Sequence, residues 1–298
     1  MSESNKRNFI VHGSILAIAG ILVRIIGMLY RIPVVNIIGS EGNGIYGAAF
    51  NIYNIMLVLS SYGLPMAVSK LVSARFTKKR YKSAAKVLRC SLMVAVCTGG
   101  IAALLVFFGA SFIENVIYGG GLPGLAIPLR ILAPTIFLVA ILGVIRGFFQ
   151  GQSTMIPTAV SQILEQIVNA IVSIAAGYGM MKAFASSPDV AAYGAAGSTL
   201  GTAMGALTAV LFMGFLYAVY TPTFNRLKRK DRHTENQSTG QICKIIIYTM
   251  IPIILGQTFY QISALIDDVM FSNIMVGRDI TKSISMDLGN FSSSYSLL

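Results

Sequence analysis

Residues 9–38 read FIVHGSILAIAGILVRIIGMLYRIPVVNII, and this run decides the fold class. A helix needs about 20 predominantly apolar residues to cross ~30 Å of hydrocarbon, and this run is longer than that. Lys6 and Arg7 stand before it, and Ala17-Ile18-Ala19 imitates a leader cleavage site. The apolar character nevertheless resumes at once and continues to Ile38, so the segment reads as an uncleaved first span and not as a secretory leader.

The rest of the chain repeats the pattern. Of 298 residues, 55% are hydrophobic and 11% charged, with mean hydropathy +0.71. Soluble domains carry about 25% charged residues, so too few charges are present to cover a water-facing surface. Further apolar segments fall near 44–74, 87–112, 126–149, 156–182, 191–220 and 243–275. The expected fold is an all-α polytopic membrane protein with seven spans.

The net charge of +12 raises the question of nucleic acid, which the positions of the charges exclude. The basic residues sit in short segments between spans. Arg75, Lys78, Lys79, Arg80, Lys82, Lys86 and Arg89 separate spans 2 and 3, and Arg226, Lys228, Arg229, Lys230, Arg232 and Lys244 separate spans 6 and 7. The alternate loops are nearly free of them. The positive-inside rule then places the N-terminus in the cytoplasm. Cys90, Cys97 and Cys243 show no CxxC spacing, and with only His12 and His233 available no metal site is expected.

The expected organisation is a six-helix bundle over 1–220, a basic cytoplasmic linker over 221–242, and the start of a second bundle over 243–298. Span 1 ends Arg31-Ile-Pro-Val-Val-Asn36-Ile-Ile-Gly39, and span 7 ends Asp268-Val-Met-Phe-Ser-Asn273-Ile-Met-Val-Gly277. A charged residue precedes an Asn-Ile pair in both, which points to parallel repeats. Asn290–Leu298 reads as the entry to an eighth helix, so the chain is expected to be a fragment.

Polar residues inside the spans mark candidate sites. Gly20, Arg24, Gly27 and Arg31 recur at i, i+4, i+7 and i+11 and share one face. An arginine in mid-span costs about 2.5–3.5 kcal/mol on the insertion scale. It is tolerated where it faces a wet cavity or a partner, and guanidinium forks fit phosphate oxygens. The opposing reading has Arg31 snorkelling to the interface and Arg24 paired with Glu165. On span 5, Thr158, Gln162, Glu165, Gln166, Asn169 and Ser173 form a stripe that either lines a cavity or hydrogen-bonds to neighbouring helices. Span 7 carries Gln257, Gln261, Asp267 and Asp268, read as an ion-coupling site or as partners for the span 1 arginines. Span 2 adds Asn51 and Asn54, and its Gly63-Leu64-Pro65 is expected to bend or unwind the helix, with neighbours satisfying the freed backbone groups. Gly197, Gly201 and Gly205 on span 6 read as a tight packing face. Arg146-Gly-Phe-Phe-Gln-Gly-Gln152 reads as a short inner loop with a basic anchor. No Walker loop, GxSxG or HExxH is present, so neither an enzymatic activity nor a cofactor is expected.

Two of these motifs carry a resemblance. Gly63-Leu-Pro-Met-Ala-Val-Ser-Lys70, and Arg146-Gly-Phe-Phe-Gln-Gly-Gln152 followed by Pro157 and Gln162-Ile-Leu-Glu165-Gln166, resemble the polysaccharide-transport branch of the multidrug/oligosaccharidyl-lipid/polysaccharide exporter superfamily. Within that branch the resemblance is to the stage V sporulation protein B-like and lipid II flippase-like members. The resemblance implies twelve to fourteen helices in two bundles around an alternating cavity in a bacterial plasma membrane. Arg24 matches the family's cavity arginine, with Arg31 beside it. It also implies a flippase for an undecaprenyl-diphosphate-linked saccharide, serving cell-wall or sporulation-cortex synthesis. The implied partners are membrane lipid, lipid-linked oligosaccharide and cell-wall synthesis proteins, with no nucleic acid. A drug or cation antiporter of the same superfamily and a non-transporting scaffold are the alternatives.

Overall fold

A computed structural model describes residues 3–232, 237–276 and 286–288. The described residues are helical with short connections and contain no strand. The helices are α1 (Glu3–Ser60), α2 (Leu64–Thr77), α3 (Tyr81–Phe112) with a π-helical turn at Ile113–Ile117, α4 (Ala126–Gly151), α5 (Ile156–Ala183), α6 (Val190–Lys230) and α7 (Thr239–Val276). Six helical stretches are long and apolar enough to cross a membrane, and the first of them, Ser14–Thr77, holds both expected spans 1 and 2. This is a multi-pass membrane protein.

Gly39 divides α1. Its φ of 70° and ψ of 179° interrupt the helix, and only glycine takes that conformation without strain. The second break comes where Gly63-Leu64-Pro65 foretold it, in a turn at Ser61–Gly63 before α2 begins with Pro65 in its first turn. The Ser60 carbonyl there accepts a hydrogen bond from Thr98 Oγ1 of α3 at 2.9 Å, so a neighbouring helix satisfies a backbone group at the break, as apolar surroundings demand.

Two glycine faces set how closely the helices approach. A Cβ on Gly205 of α6 would lie 2.6 Å from the Glu165 carbonyl oxygen, one on Gly201 2.6 Å from the Asn169 carbonyl oxygen, and one on Gly197 2.4 Å from the Ala176 carbonyl oxygen. The expected packing stripe therefore clamps α6 on α5. A second stripe, Gly143, Gly147 and Gly151 on α4, seats α2: a Cβ on Gly147 would stand 2.6 Å from the Pro65 carbonyl oxygen. Small residues are what permit such contact in a bilayer, where apolar burial between helices gains little.

Two apolar clusters flank the middle of the bundle. One gathers Ile38, Ile45, Leu125, Leu129 and Ile136 towards the Gly39 end. The other, at the basic end, gathers Val68, Leu88, Phe148, Met213 and Phe224. Ile21, Phe108, Phe215 and Phe259 are among the large apolar side chains left exposed, as a lipid-facing belt requires.

The basic end departs from the sequence reading in two ways. Positions 221–230, expected as linker, continue α6 through Pro222 to Lys230, and α7 already begins at Thr239. The reason is Phe224, buried with its ring stacked on Phe76 at 6.1 Å and edge-on to Phe148 at 5.3 Å, an anchor that holds one more amphipathic stretch helical. The expected loop at Arg146–Gln152 likewise belongs to α4 as far as Gly151, because its glycines pack against α2. Residues 290–298 and Gly277 lie outside the described residues.

Candidate functional site

The polar stripes of α1 and α5 meet. A Cβ on Gly27 would lie 3.3 Å from Gln166 Nε2, and Asn169 Nδ2 donates to the Tyr30 hydroxyl at 3.2 Å. Gly27 lies three residues after Arg24 and four before Arg31, on their face of the helix, so the arginine face borders α5.

The α5 stripe divides into two sets. Asn169 and Ser173 serve packing: Ser173 Oγ is 2.9 Å from Asn169 Oδ1 and 2.8 Å from the Ser198 carbonyl oxygen of α6. Asn169, placed among the binding residues by its spacing, is thus 8% exposed and occupied between helices. Thr158 and Ser161 are also buried. Gln162 and Gln166 are half-buried and make no side-chain hydrogen bond among the described residues.

Glu165 has a partner that the sequence did not point to. Arg146 Nη2 of α4 lies 2.7 Å from Glu165 Oε2, and Arg146 Nε donates to Ser161 Oγ at 2.9 Å. The pair is half-enclosed, with side-chain exposures of 13% and 27%. This corrects the reading of Arg24 as the partner of Glu165 and of Arg146 as a loop anchor. Arg146 is held in mid-bundle because α4 stays helical past it. The buried phenol of Tyr53 lies within electrostatic range of the same carboxylate.

Arg24 is exposed and Arg31 half-buried, and neither makes an ion pair or hydrogen bond among the described residues. Arg31 lies within electrostatic range of Tyr46. Asn54 is half-buried on the second segment of α1, without a described side-chain partner.

The α7 residues are placed elsewhere. Asp268 accepts a hydrogen bond from Asn51 Nδ2, so its partner is an amide and not an α1 arginine. Beyond it, Ser272 Oγ donates to the Tyr118 carbonyl and Asn273 Nδ2 to the Ile117 carbonyl, each at 2.9 Å. These bonds seat the end of α7 on the π-helical turn. Asp267 is exposed and Gln257 half-buried, and the Gln261 side chain lies outside the described residues. No group of three or more metal-ligating side chains occurs among the described residues.

The half-enclosed pair, the two arginines of α1 and the glycine faces thus belong to one bundle of long apolar helices. A family model described as polysaccharide biosynthesis protein matches residues 10–298. The chain belongs to that family. The lipid II flippase MurJ of Bacillus subtilis (strain 168) is 34% identical over 176 residues, which is 57% of this chain and 32% of that protein. Stage V sporulation protein B of the same organism is 30% identical over 210 residues, 70% of this chain and 39% of that protein. An uncharacterised membrane protein of that organism, YabM, is 26% identical over 93% of this chain and 50% of its own length. The chain therefore spans half or less of the length of these relatives.

Among solved structures, an outward-facing multidrug resistance MATE family transporter of the MOP superfamily superposes with a TM-score of 0.65 at 17% identity, covering 95% of this chain and 59% of that one. A MOP superfamily transporter from Pyrococcus furiosus gives a TM-score of 0.65 at 16% identity, covering 93% and 62%. At such identities the likeness is one of fold. These matches bear out the resemblance carried by the Gly63–Lys70 and Arg146–Gln166 motifs.

Proposed function

We propose that this chain supplies the α1 and α5 wall of a flippase path for an undecaprenyl-diphosphate-linked saccharide, in a bacterial plasma membrane with the N-terminus cytoplasmic. The observation that carries the reading is the charge balance. Glu165 is the one ionisable acid of the α5 stripe, and Arg146 neutralises it. Arg24 and Arg31 are then the surplus charge, so the face attracts anions. Guanidinium groups match diphosphate oxygens in a fork geometry, while a polyprenyl tail stays in lipid beside the exposed apolar belt. Rocking of two bundles about the site would expose the sugar on the far side. The similarity to MurJ and to stage V sporulation protein B supports this substrate class.

The fold likeness to drug transporters favours a cation antiporter as the second reading. A cationic substrate needs an uncompensated acid on the same face, and Glu165 is already paired. Asp267 and Asp268 on α7 are the remaining candidates for coupling an ion.

The test places the chain within a polypeptide of its relatives' full length, in cells depleted of their own lipid II flippase. Lipid II in the outer leaflet is then quantified. The proposal expects recovery. Absence of recovery for lipid II and for every other polyprenyl-linked saccharide tried, with the protein inserted in the membrane, would overturn it.

A further inference from the structure

α3 opens with a basic face that the transport reading does not use. Lys82, Lys86, Arg89 and Met93 recur at i, i+4, i+7 and i+11 and so lie on one side of the helix. Lys228 from the last turn of α6 and Thr239 from the first turn of α7 complete a cleft of ≈ 500 Å³. Neither α1 nor α5 contributes a lining residue, so the cleft is separate from the arginine face described above.

Among the described residues its lining includes four cations and no acid. Asp231, the nearby carboxylate, is buried and accepts the backbone N–H of Lys82 at 2.8 Å, capping the start of α3. Lys86 Nζ donates to the Gln237 carbonyl, and the Lys228 ammonium sits over the Phe224 ring at 5.3 Å. The side chains of Lys82 and Arg89 are exposed and make no hydrogen bond or ion pair among the described residues.

The cleft also has an apolar side. Met93 is 59% exposed at its rim, and Val96, three residues on along α3, is exposed too. Phosphate oxygens suit the cationic mouth, and acyl chains suit the exposed apolar strip beyond it. A free phosphate ion would use only the first.

We propose that this cleft is a binding site for an anionic glycerophospholipid, with the headgroup phosphate among Lys82, Lys86, Arg89 and Lys228 and an acyl chain along Met93. Clusters of basic residues at the end of a span are the usual form of such recognition, each cation contributing a factor of about five in affinity. Because the lining comes from α3, α6 and α7, an occupied site straps α7 to the bundle just where the chain leaves α6.

The experiment is native mass spectrometry of the full chain in detergent, titrated with phosphatidylglycerol and, separately, with phosphatidylcholine. The variants are Lys86→Gln/Arg89→Gln and, as a control of equal charge loss outside the cleft, Arg226→Gln/Arg229→Gln. The proposal expects the cleft variant to bind phosphatidylglycerol on the order of twentyfold more weakly, the control to bind as the parent does, and phosphatidylcholine to be retained poorly throughout. Lys86→Arg, which keeps the charge, should restore binding, and matching circular dichroism spectra establish that the variants fold. Equal losses in cleft and control variants would overturn the proposal. So would retention of inorganic phosphate, or of undecaprenyl phosphate, as tightly as phosphatidylglycerol, since the site would then select the phosphate alone or a polyprenyl chain.

Discussion

Arg24 and Arg146 occupy apolar helices and have opposite fates. Arg146 is consumed by Glu165 at 2.7 Å, whereas Arg24 has no counter-ion among the described residues. Removing one partner of an enclosed pair strands the other charge and costs several kcal/mol, while replacing both by apolar residues is often neutral. Arg146→Met alone and Glu165→Leu alone should each destabilise the protein by about 2–3 kcal/mol, less than a fully buried pair would because part of each group meets solvent. The double variant should be closer to the parent than either single one, as read by thermal unfolding in detergent. Arg24→Ala should instead leave insertion and unfolding unchanged and abolish transport of the lipid-linked saccharide. Arg24→Lys, which keeps charge but loses the fork, should fall between. Normal transport by Arg24→Ala, measured beside membrane fractionation, would remove Arg24 from the site. The sequence made Arg24 conspicuous because it interrupts an apolar run. The partner of Glu165 was not legible, since the pair joins two helices and depends on α4 remaining helical through Gly147.

At the scale of the helix, glycine spacing decides which pairs come into contact. Gly201 of α6 lies so close to α5 that a Cβ would stand 2.6 Å from the Asn169 carbonyl oxygen, whereas a Cβ on Gly214 of the same helix would meet nothing within 4 Å. Gly201→Ala should therefore force the helices apart at a cost of about 1–3 kcal/mol. Gly214→Ala should be neutral, or stabilising by up to about 1 kcal/mol through helix propensity. Thermal midpoints of the two variants in one detergent check the contrast, and equal midpoints would contradict it. The α6 stripe was readable from its four-residue period. The equivalent stripe Gly143, Gly147 and Gly151 on α4 has the same period and was available to the same reading, but the Arg146 to Gln152 motif drew attention to a loop. Residues 221–230 were missed for a different reason: their charges hide the helical spacing of Tyr217, Tyr220 and Phe224, and only tertiary contact with Phe76 and Phe148 makes that spacing count. The α5 stripe was legible as polar but not as two sets, because lining a cavity and bonding to a neighbour produce the same periodicity.

For the molecule as a whole, α7 could pack with the six helices before it or stand apart from them as the first helix of a second bundle. Spacing and the repeat of the span 1 ending assigned it to a second bundle. In the structure it nevertheless lies along the first: Asp268 bonds to Asn51 of α1, a Cβ on Gly63 would meet Met250 at 2.9 Å, and Cys90 Sγ–H donates to the Thr239 carbonyl at 3.8 Å. Cys90 on α3 lies within electrostatic range of Cys243 on α7, while Cys97 is exposed elsewhere on α3. This arrangement allows a direct measurement on the natural sequence. Mild oxidation of the protein in membranes should link Cys90 to Cys243 within one chain. With a protease site placed between Asp231 and Ser238, the two cleaved halves should then migrate together until reduced. Cys97→Ser should leave the link intact, and Cys90→Ser should abolish it. If α7 instead swings with a second bundle during transport, the linked form should insert normally yet fail to move lipid-linked saccharide, and reduction should restore movement. Halves that separate without reductant would show that α7 does not rest on α3, and the lipid cleft that α3, α6 and α7 build together would lose one of its walls.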